Sequence, residues 1–248
     1  MSTSGVTNFT VTRDQVIQAA LRGLSVLEEG AEPTAAATSN ASFALNLIIK
    51  NWQKDGIKLW TIDNLEVPLV ANQTVYNIGP DSSNDIVSDR PLRVIQGFLR
   101  NVEASPPIDI PLQPLSRQEY NILGSKFSPG VMNSYFYNPK PTFGQLTVYL
   151  TPDTNSQTNY VLYVIVQRPI MDMVKPTDNF DFPNEWFLAL KWALMAELAP
   201  EYDKSLPDRG YYDARAVALK KALEDWDVEN ASMFFQPDVR MGMNRSFR

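Results

Sequence analysis

The sequence contains no cysteine and no histidine. That pair of absences excludes disulfides, thiolate nucleophiles, zinc fingers and histidine-ligated metals together. It also removes the commonest general base, so a Ser-His-Asp triad is impossible, and any catalysis would rest on carboxylates, lysine or tyrosine. Long apolar runs are missing as well. The longest, Tyr160 to Val166, has seven residues, which is strand length rather than membrane length. The first residues lack a basic segment leading into an apolar one, so no secretory signal is expected. There is no P-loop, no GxGxxG and no EF-hand loop. An excess of positive charge is lacking too: 22 basic residues face 28 acidic ones, and a net charge of −6 argues against a protein that coats DNA. The expectation is a protein made in a reducing cytoplasm, without a membrane segment, cofactor or metal.

What is present is ample for a stable fold. A chain of 248 residues, 44% of them hydrophobic, can bury about three quarters of its unfolded surface without covalent staples. Residues 10–56 read as two helices. Thr12 and Gln15 have the spacing of a capping box. After them Ile17, Ala20, Leu21, Leu24 and Leu27 share one face, and Gly30 suits the position past the helix end. A second helix, beginning at Thr34 or Ala41 and running to Asp55, carries Ala41, Leu45, Ile48 and Trp52 on one face. Phe43 and Leu47 widen that stripe so far that the helix is expected to pack on two sides.

From Leu59 to about Arg168 the pattern changes to strands. Leu65–Leu69, Thr74–Ile78, Leu92–Val102, Ser134–Tyr137, Gln145–Leu150 and Tyr160–Gln167 are the extended segments, with a Gly79–Asn84 loop. Ile108–Leu112 is interrupted by proline and suits a sheet edge, whereas Tyr160–Gln167, apolar on both faces, suits its middle. Ser116 and Glu119 repeat the capping-box spacing and predict a short helix to Leu123. Helix returns at Phe182-Pro183, with Trp186, Leu190, Ala193, Leu194 and Leu198 on its stripe. The last helix, Asp208 to Asn230, has Tyr212, Ala216, Leu219, Leu223 and Trp226 in register. The expected fold class is therefore α+β. Residues 10–56 and 183–230 form one helical bundle, with Trp52, Trp186 and Trp226 in its core. An antiparallel β-rich domain, 57–170, is inserted between them, and 231–248 form an extended C-terminal tail.

Four features carry chemistry or contacts. Asp178 and Asp181, and the acids of the last helix, could bind a cation or serve a glycosidase, but they equally suit capping and solvated surface. Glu224, Asp225, Asp227 and Glu229 stand near a helix C-terminus, where the macrodipole disfavours negative charge. They read either as a solvated face or as acid placed to face an anion that must slide past. Tyr135, Phe136 and Tyr137, with Trp60 and Tyr149, read either as core or as a platform on which sugars or bases stack. The tail combines Phe234 and Phe235 with Arg240, Arg245 and Arg248 against a single Asp238, residue types enriched at interfaces. It lacks apolar periodicity, so a partner is expected to supply its order.

The order of several phrases resembles a known family. They are Leu45-Asn46-Leu47 leading to Asn51-Trp52-Gln53-Lys54-Asp55-Gly56, then Leu59-Trp60-Thr61 and Asp89-Arg90-Pro91-Leu92-Arg93. Pro114-Leu115-Ser116-Arg117-Gln118-Glu119-Tyr120, Gln167-Arg168-Pro169-Ile170, Phe182-Pro183-Asn184-Glu185-Trp186 and Leu198-Ala199-Pro200-Glu201-Tyr202 follow. Over about residues 10 to 238 the chain resembles the head-to-tail adaptors (connector, or tail tubular protein A-like) of short-tailed bacteriophages. The resemblance implies a non-enzymatic virion protein at the head-tail junction. It implies a ring, typically of twelve subunits, between portal protein and tail nozzle, with genome DNA passing through the lumen without specific binding. It also implies that the C-terminal segment clasps the portal and that the helical part forms the ring wall. On that reading Phe234, Phe235, Arg240, Arg245 and Arg248 are candidates for portal binding, and Glu224, Asp225, Asp227 and Glu229 for an acidic channel face. A duplex sticks to basic stripes through counterion release, so acid suits a conduit. The rival reading is a phage tail module that binds or cleaves carbohydrate through the aromatic strands and paired carboxylates.

Overall fold

In the computed structural model, which describes residues 5, 9–56 and 59–228, Thr12 opens helix α1 (Arg13–Gly23), its backbone N–H donating to Gln15 Oε1 at 2.9 Å. Val16, Ile17, Ala20 and Leu21 form the buried face. The helix stops well before Gly30. Ser25 adopts a left-handed φ of 53°, the Val26 N–H bonds the Leu21 carbonyl, and the Ser25 N–H bonds that of Arg22. This is a Schellman termination with serine where glycine is usual, which is why the sequence pattern overran it. Helix α2 (Ala35–Gln53) takes the earlier of its two candidate starts: Thr34 Oγ1 accepts the Ala37 N–H at 3.2 Å. Its buried seam is Ala41, Ala44, Leu45, Ile48, Ile49 and Trp52, and Gly56, at a φ of 75°, turns the chain away.

Eight strands follow: β1 (Ile62–Val67), β2 (Val75–Gly79), β3 (Ile86–Val87), β4 (Arg93–Asn101), β5 (Ile108–Pro114), β6 (Ser134–Pro139), β7 (Gly144–Tyr149) and β8 (Tyr160–Gln167). Their order is β1-β8-β4-β5-β6-β7-β2-β3. Most pairs are antiparallel, as expected, but β2–β3 and β5–β6 are parallel, which corrects the purely antiparallel expectation. Strand β8 lies between β1 and β4, the interior place its two apolar faces require. The proline-broken β5 pairs with β4 over Ile108–Leu112, and only Gln113 and Pro114 reach β6. It is thus the joint between two half-sheets.

Both half-sheets share one core, with Val67, Leu99, Leu112, Leu162 and Val164 meeting Tyr76, Ile78, Tyr135, Leu146 and Val148. Gly97 on β4 makes that approach possible: a Cβ there would stand 2.9 Å from the Tyr135 ring. The predicted short helix is α3 (Arg117–Ile122), with Ser116 Oγ accepting the Glu119 N–H and Glu119 accepting the Ser116 N–H. Helix α4 (Thr154–Asn159), capped by Asp153, carries no apolar stripe and was not legible as a helix.

After β8 a 3₁₀ turn, Asn184–Trp186, leads into α5 (Phe187–Leu198), and Ser205 caps α6 (Leu206–Trp226). Helix α5 packs against α1, α2 and α6. The second core draws residues 16–52 and 170–199 together and is rich in rings: Trp52, Trp60, Phe180, Phe182, Trp186 and Phe187. The Trp60 and Trp186 centroids are 5.0 Å apart, and those of Trp52 and Trp186 5.8 Å.

Trp52 and Trp186 are buried as expected, but Trp226 is 65% exposed. Its helix explains the miss. At about 1.5 Å per residue α6 is far longer than α5, so its last turn runs alongside the start of α5 with little left to cover it. Tyr212, Leu219 and Leu223, earlier in the same register, do pack on the core.

Two measurements of chemical unfolding follow. Trp52→Ala should cost about 3–5 kcal/mol, whereas Trp226→Ala should cost less than about 1 kcal/mol in the isolated subunit. Ser25→Gly, at an exposed left-handed position, should raise the unfolding midpoint by the equivalent of about 1 kcal/mol.

Candidate functional site

Asp178 and Asp181, two of the carboxylates considered for catalysis, are engaged in holding the chain together. After β8 the segment 168–182 runs along α2 and back to the helices. Arg168 forms a two-pronged pair with Asp181, its Nη2 donating at 2.9 Å, across the ends of this segment. Asp181 also accepts the Met171 N–H. Asp178 accepts the N–H groups of Lys175 (2.7 Å) and Val174 (3.0 Å), and these bonds hold its carboxyl below the usual aspartate range. No group of three or more acidic side chains that could hold a metal ion occurs among the described residues.

The segment's backbone is held from the other side by a row on α2. Asn46 accepts the Met173 N–H and donates to its carbonyl, both near 3.0 Å. Lys50 donates to the Ile170 carbonyl at 2.8 Å and pairs with Asp172, while Gln53 accepts the Ile170 N–H. Asn46, Lys50 and Gln53 are spaced i, i+4, i+7, so one helical face carries all three. Arg13 completes the clasp by donating to the Val174 carbonyl at 2.8 Å and to Ser42.

The aromatic residues do not form an open platform. Tyr135 is buried over Gly97, Trp60 lies in the helical core, and Tyr137 packs on Gly144, where a Cβ would meet its hydroxyl. Burial pushes the Tyr137 hydroxyl up to about 12, and it donates to the Pro91 carbonyl. Phe136 is stacked on Tyr120, with centroids 5.6 Å apart and planes 15° apart, and the Arg117 guanidinium lies over it. Its faces are taken by protein groups.

The acidic end of α6 is divided rather than unified. Glu224 is half-buried beside Lys220, which also bonds Asp55 at the end of α2, while Asp225 is exposed. Asp227 is half-buried, and Glu229 lies outside the described residues. So do Phe234, Phe235, Arg240, Arg245 and Arg248 of the tail.

A feature that the sequence reading missed lies at the same end. Trp226, Ala222 and Leu223 of α6 and Glu185, Leu188 and Ala189 at the start of α5 line an open apolar groove of about 360 Å³. Helical periodicity placed Trp226 inside. Only the unequal helix lengths could have signalled otherwise.

Several of the phrases that carry the family resemblance converge in space. Asn46, Trp52 and Gln53, then Trp60 and Thr61, Arg168 and Ile170, and Phe182 and Trp186 all meet where the chain enters and leaves the strands. A protein-family model described as SU10 adaptor protein matches residues 12–239. No curated protein matches the chain. No described helix is long and apolar enough to cross a membrane.

The clasp makes a distinction that unfolding can measure. Asp181→Asn should cost about 1–3 kcal/mol by leaving Arg168 half-buried without its charged partner. The Asp178 contribution depends on pH. Its carboxylate favours the fold above the ordinary aspartate range, and that contribution fades as pH falls through its depressed value. Asp178→Asn should therefore flatten the acid limb of the stability curve below about pH 4.

Proposed function

Because the chain belongs to the SU10 adaptor protein family, a family of phage structural adaptors, we propose that it is the head-to-tail adaptor of a short-tailed phage. It assembles as a ring, of twelve subunits by resemblance, between the portal protein and the tail nozzle, and genome DNA passes through the lumen. It acts by assembly and not by catalysis. The observation that carries this reading is the family match across 12–239, together with the convergence of several of its phrases on one joint between helices and strands. Such a joint fixes shape: Asp181 is bonded to Arg168 and Asp178 to backbone N–H groups.

Each part of the chain then has a task. Residues 10–56 with 183–230 form the helical wall, 57–170 the inserted β-rich domain, and 231–248 the segment that docks to the portal. Phe234 and Phe235 serve as buried anchors, and Arg240, Arg245 and Arg248 pair with acidic portal groups. Glu224, Asp225, Asp227 and Glu229 give the lumen an acidic face. Asp225 is the exposed member among those described, while Glu224 is partly offset by Lys220. A net charge of −6 per subunit suits a conduit that a duplex must cross without binding.

The test is electron microscopy and native mass measurement of the full chain mixed with the portal protein of its phage. A ring on the portal is the expected result, and a mixture that stays as separate components refutes it. Phe234→Ala and Phe235→Ala should each weaken portal binding by about 2 kcal/mol, roughly 30-fold. Deleting residues 237–248 should weaken it further and make it less salt-sensitive while circular dichroism stays unchanged.

A further inference from the structure

Helix α2 carries an apolar face that its own chain does not cover. Phe43 and Leu47 stand two residues either side of Leu45, the centre of the buried seam. At about 100° per residue that places both about 160–200° around the helix from it. Phe43 is 69% exposed and Leu47 51%. Ala36 and Lys54 fall on the same outward line and are exposed, with exposed Asn40 and Lys50 beside it, so Phe43 and Leu47 form a short apolar centre on a polar ridge that is basic at its C-terminal end.

The second uncovered feature is the groove between α5 and α6, where Leu188 is 51% exposed and Trp226 65%. Exposed Glu185 gives the groove an acidic group at the start of α5. Exposed apolar side chains gathered in this way mark interaction sites. Ridge and groove are complementary: apolar centre to apolar centre, Lys54 to Glu185. One copy cannot satisfy itself, because the ridge faces away from α5 while the groove opens on α5.

We infer that the ridge of one copy seats in the groove of the next, Phe43 and Leu47 entering between Leu188, Ala222 and Trp226, with Lys54 meeting Glu185. The contact joins two different faces, so it is head-to-tail, the kind of contact from which a ring is built when the rotation closes. It rests on the reading of the protein as a ring and supplies the subunit contact that such a ring needs. It also accounts for the two sides of α2: one seam faces its own core, and the opposite one faces a neighbour.

The absence of cysteine makes a clean test possible. Leu47→Cys and Ala222→Cys are prepared as separate full-length chains, mixed, assembled with the portal protein and treated with a short bis-maleimide. The expected result is a cross-linked dimer from the mixture and from neither variant alone, and a ladder beyond the dimer when both cysteines are on one chain. A second arm uses Phe43→Glu, which should keep the unfolding midpoint of the isolated subunit but reduce ring formation at least tenfold. Rings that form without the mixed cross-link overturn the interface and leave the ring reading intact. Cross-linked dimers from Leu47→Cys alone or from Ala222→Cys alone overturn it as well. If the unaltered chain forms no oligomer even with the portal, the ring reading itself falls, and the interface with it.

Discussion

The helical part and its joint with the strands depend on the packing of six rings, Trp52, Trp60, Phe180, Phe182, Trp186 and Phe187, contributed by α2, by the approach to β1, by the segment after β8 and by the start of α5. Offset and edge-on ring pairs favour specific geometries as well as burying area, so this cluster sets angles in addition to supplying cohesion. The row of Asn46, Lys50 and Gln53 adds direction. It binds the backbone of 170–173, groups that would otherwise lie near the helical core without partners. Arg168 and Asp181 then tie the two ends of the segment to each other. Rings fix where the joint is, and hydrogen bonds fix its register.

The β part obeys a different constraint. Its half-sheets are continuous only through two residues of β5, so their mutual placement comes from side chains rather than from the backbone ladder. Tyr135 seated over Gly97 is one of these contacts, close enough that a Cβ at Gly97 would meet its ring. Proline in β5 is consistent with that role. A strand whose outer edge is unpaired over most of its length can forgo an N–H, and one that must change partners gains from an interruption.

Local chemistry was legible wherever one residue decides it. The caps at Thr12 and Ser116, strand β8 with its unbroken apolar run, and the burial of Trp52 and Trp186 all read directly from type and spacing. The mixed α+β class followed from those signals. What failed depended on partners far along the chain or on an unusual residue in a familiar role. Ser25 ends α1 in a conformation usually marked by glycine. Strand β3 is two residues long, and α4 is held by its cap rather than by an apolar face. Trp226 kept the helical register of its buried neighbours while its helix outran the one beneath it. Asp178 and Asp181 were recognisable as capping or surface carboxylates, but the pairing of Asp181 with Arg168 needed the fold to bring them together.

The way the chain enters and leaves the strands has a consequence for how such proteins can vary. Arg168 donates its N–H to the Thr61 carbonyl, and Ile62 lies directly opposite Gln167, so the whole β part is attached through a neck two strands wide. Its ends are about 5 Å apart, a gap that a two-residue hairpin turn would close. Anything whose termini meet at that spacing can be grafted onto the same helices without disturbing the rings beneath. The helical part is in this sense a socket and the strands a cartridge, so length and sequence between 62 and 167 can change without reaching the rings as long as Arg93 and Gln167, which both donate to the Gly56 carbonyl, are kept.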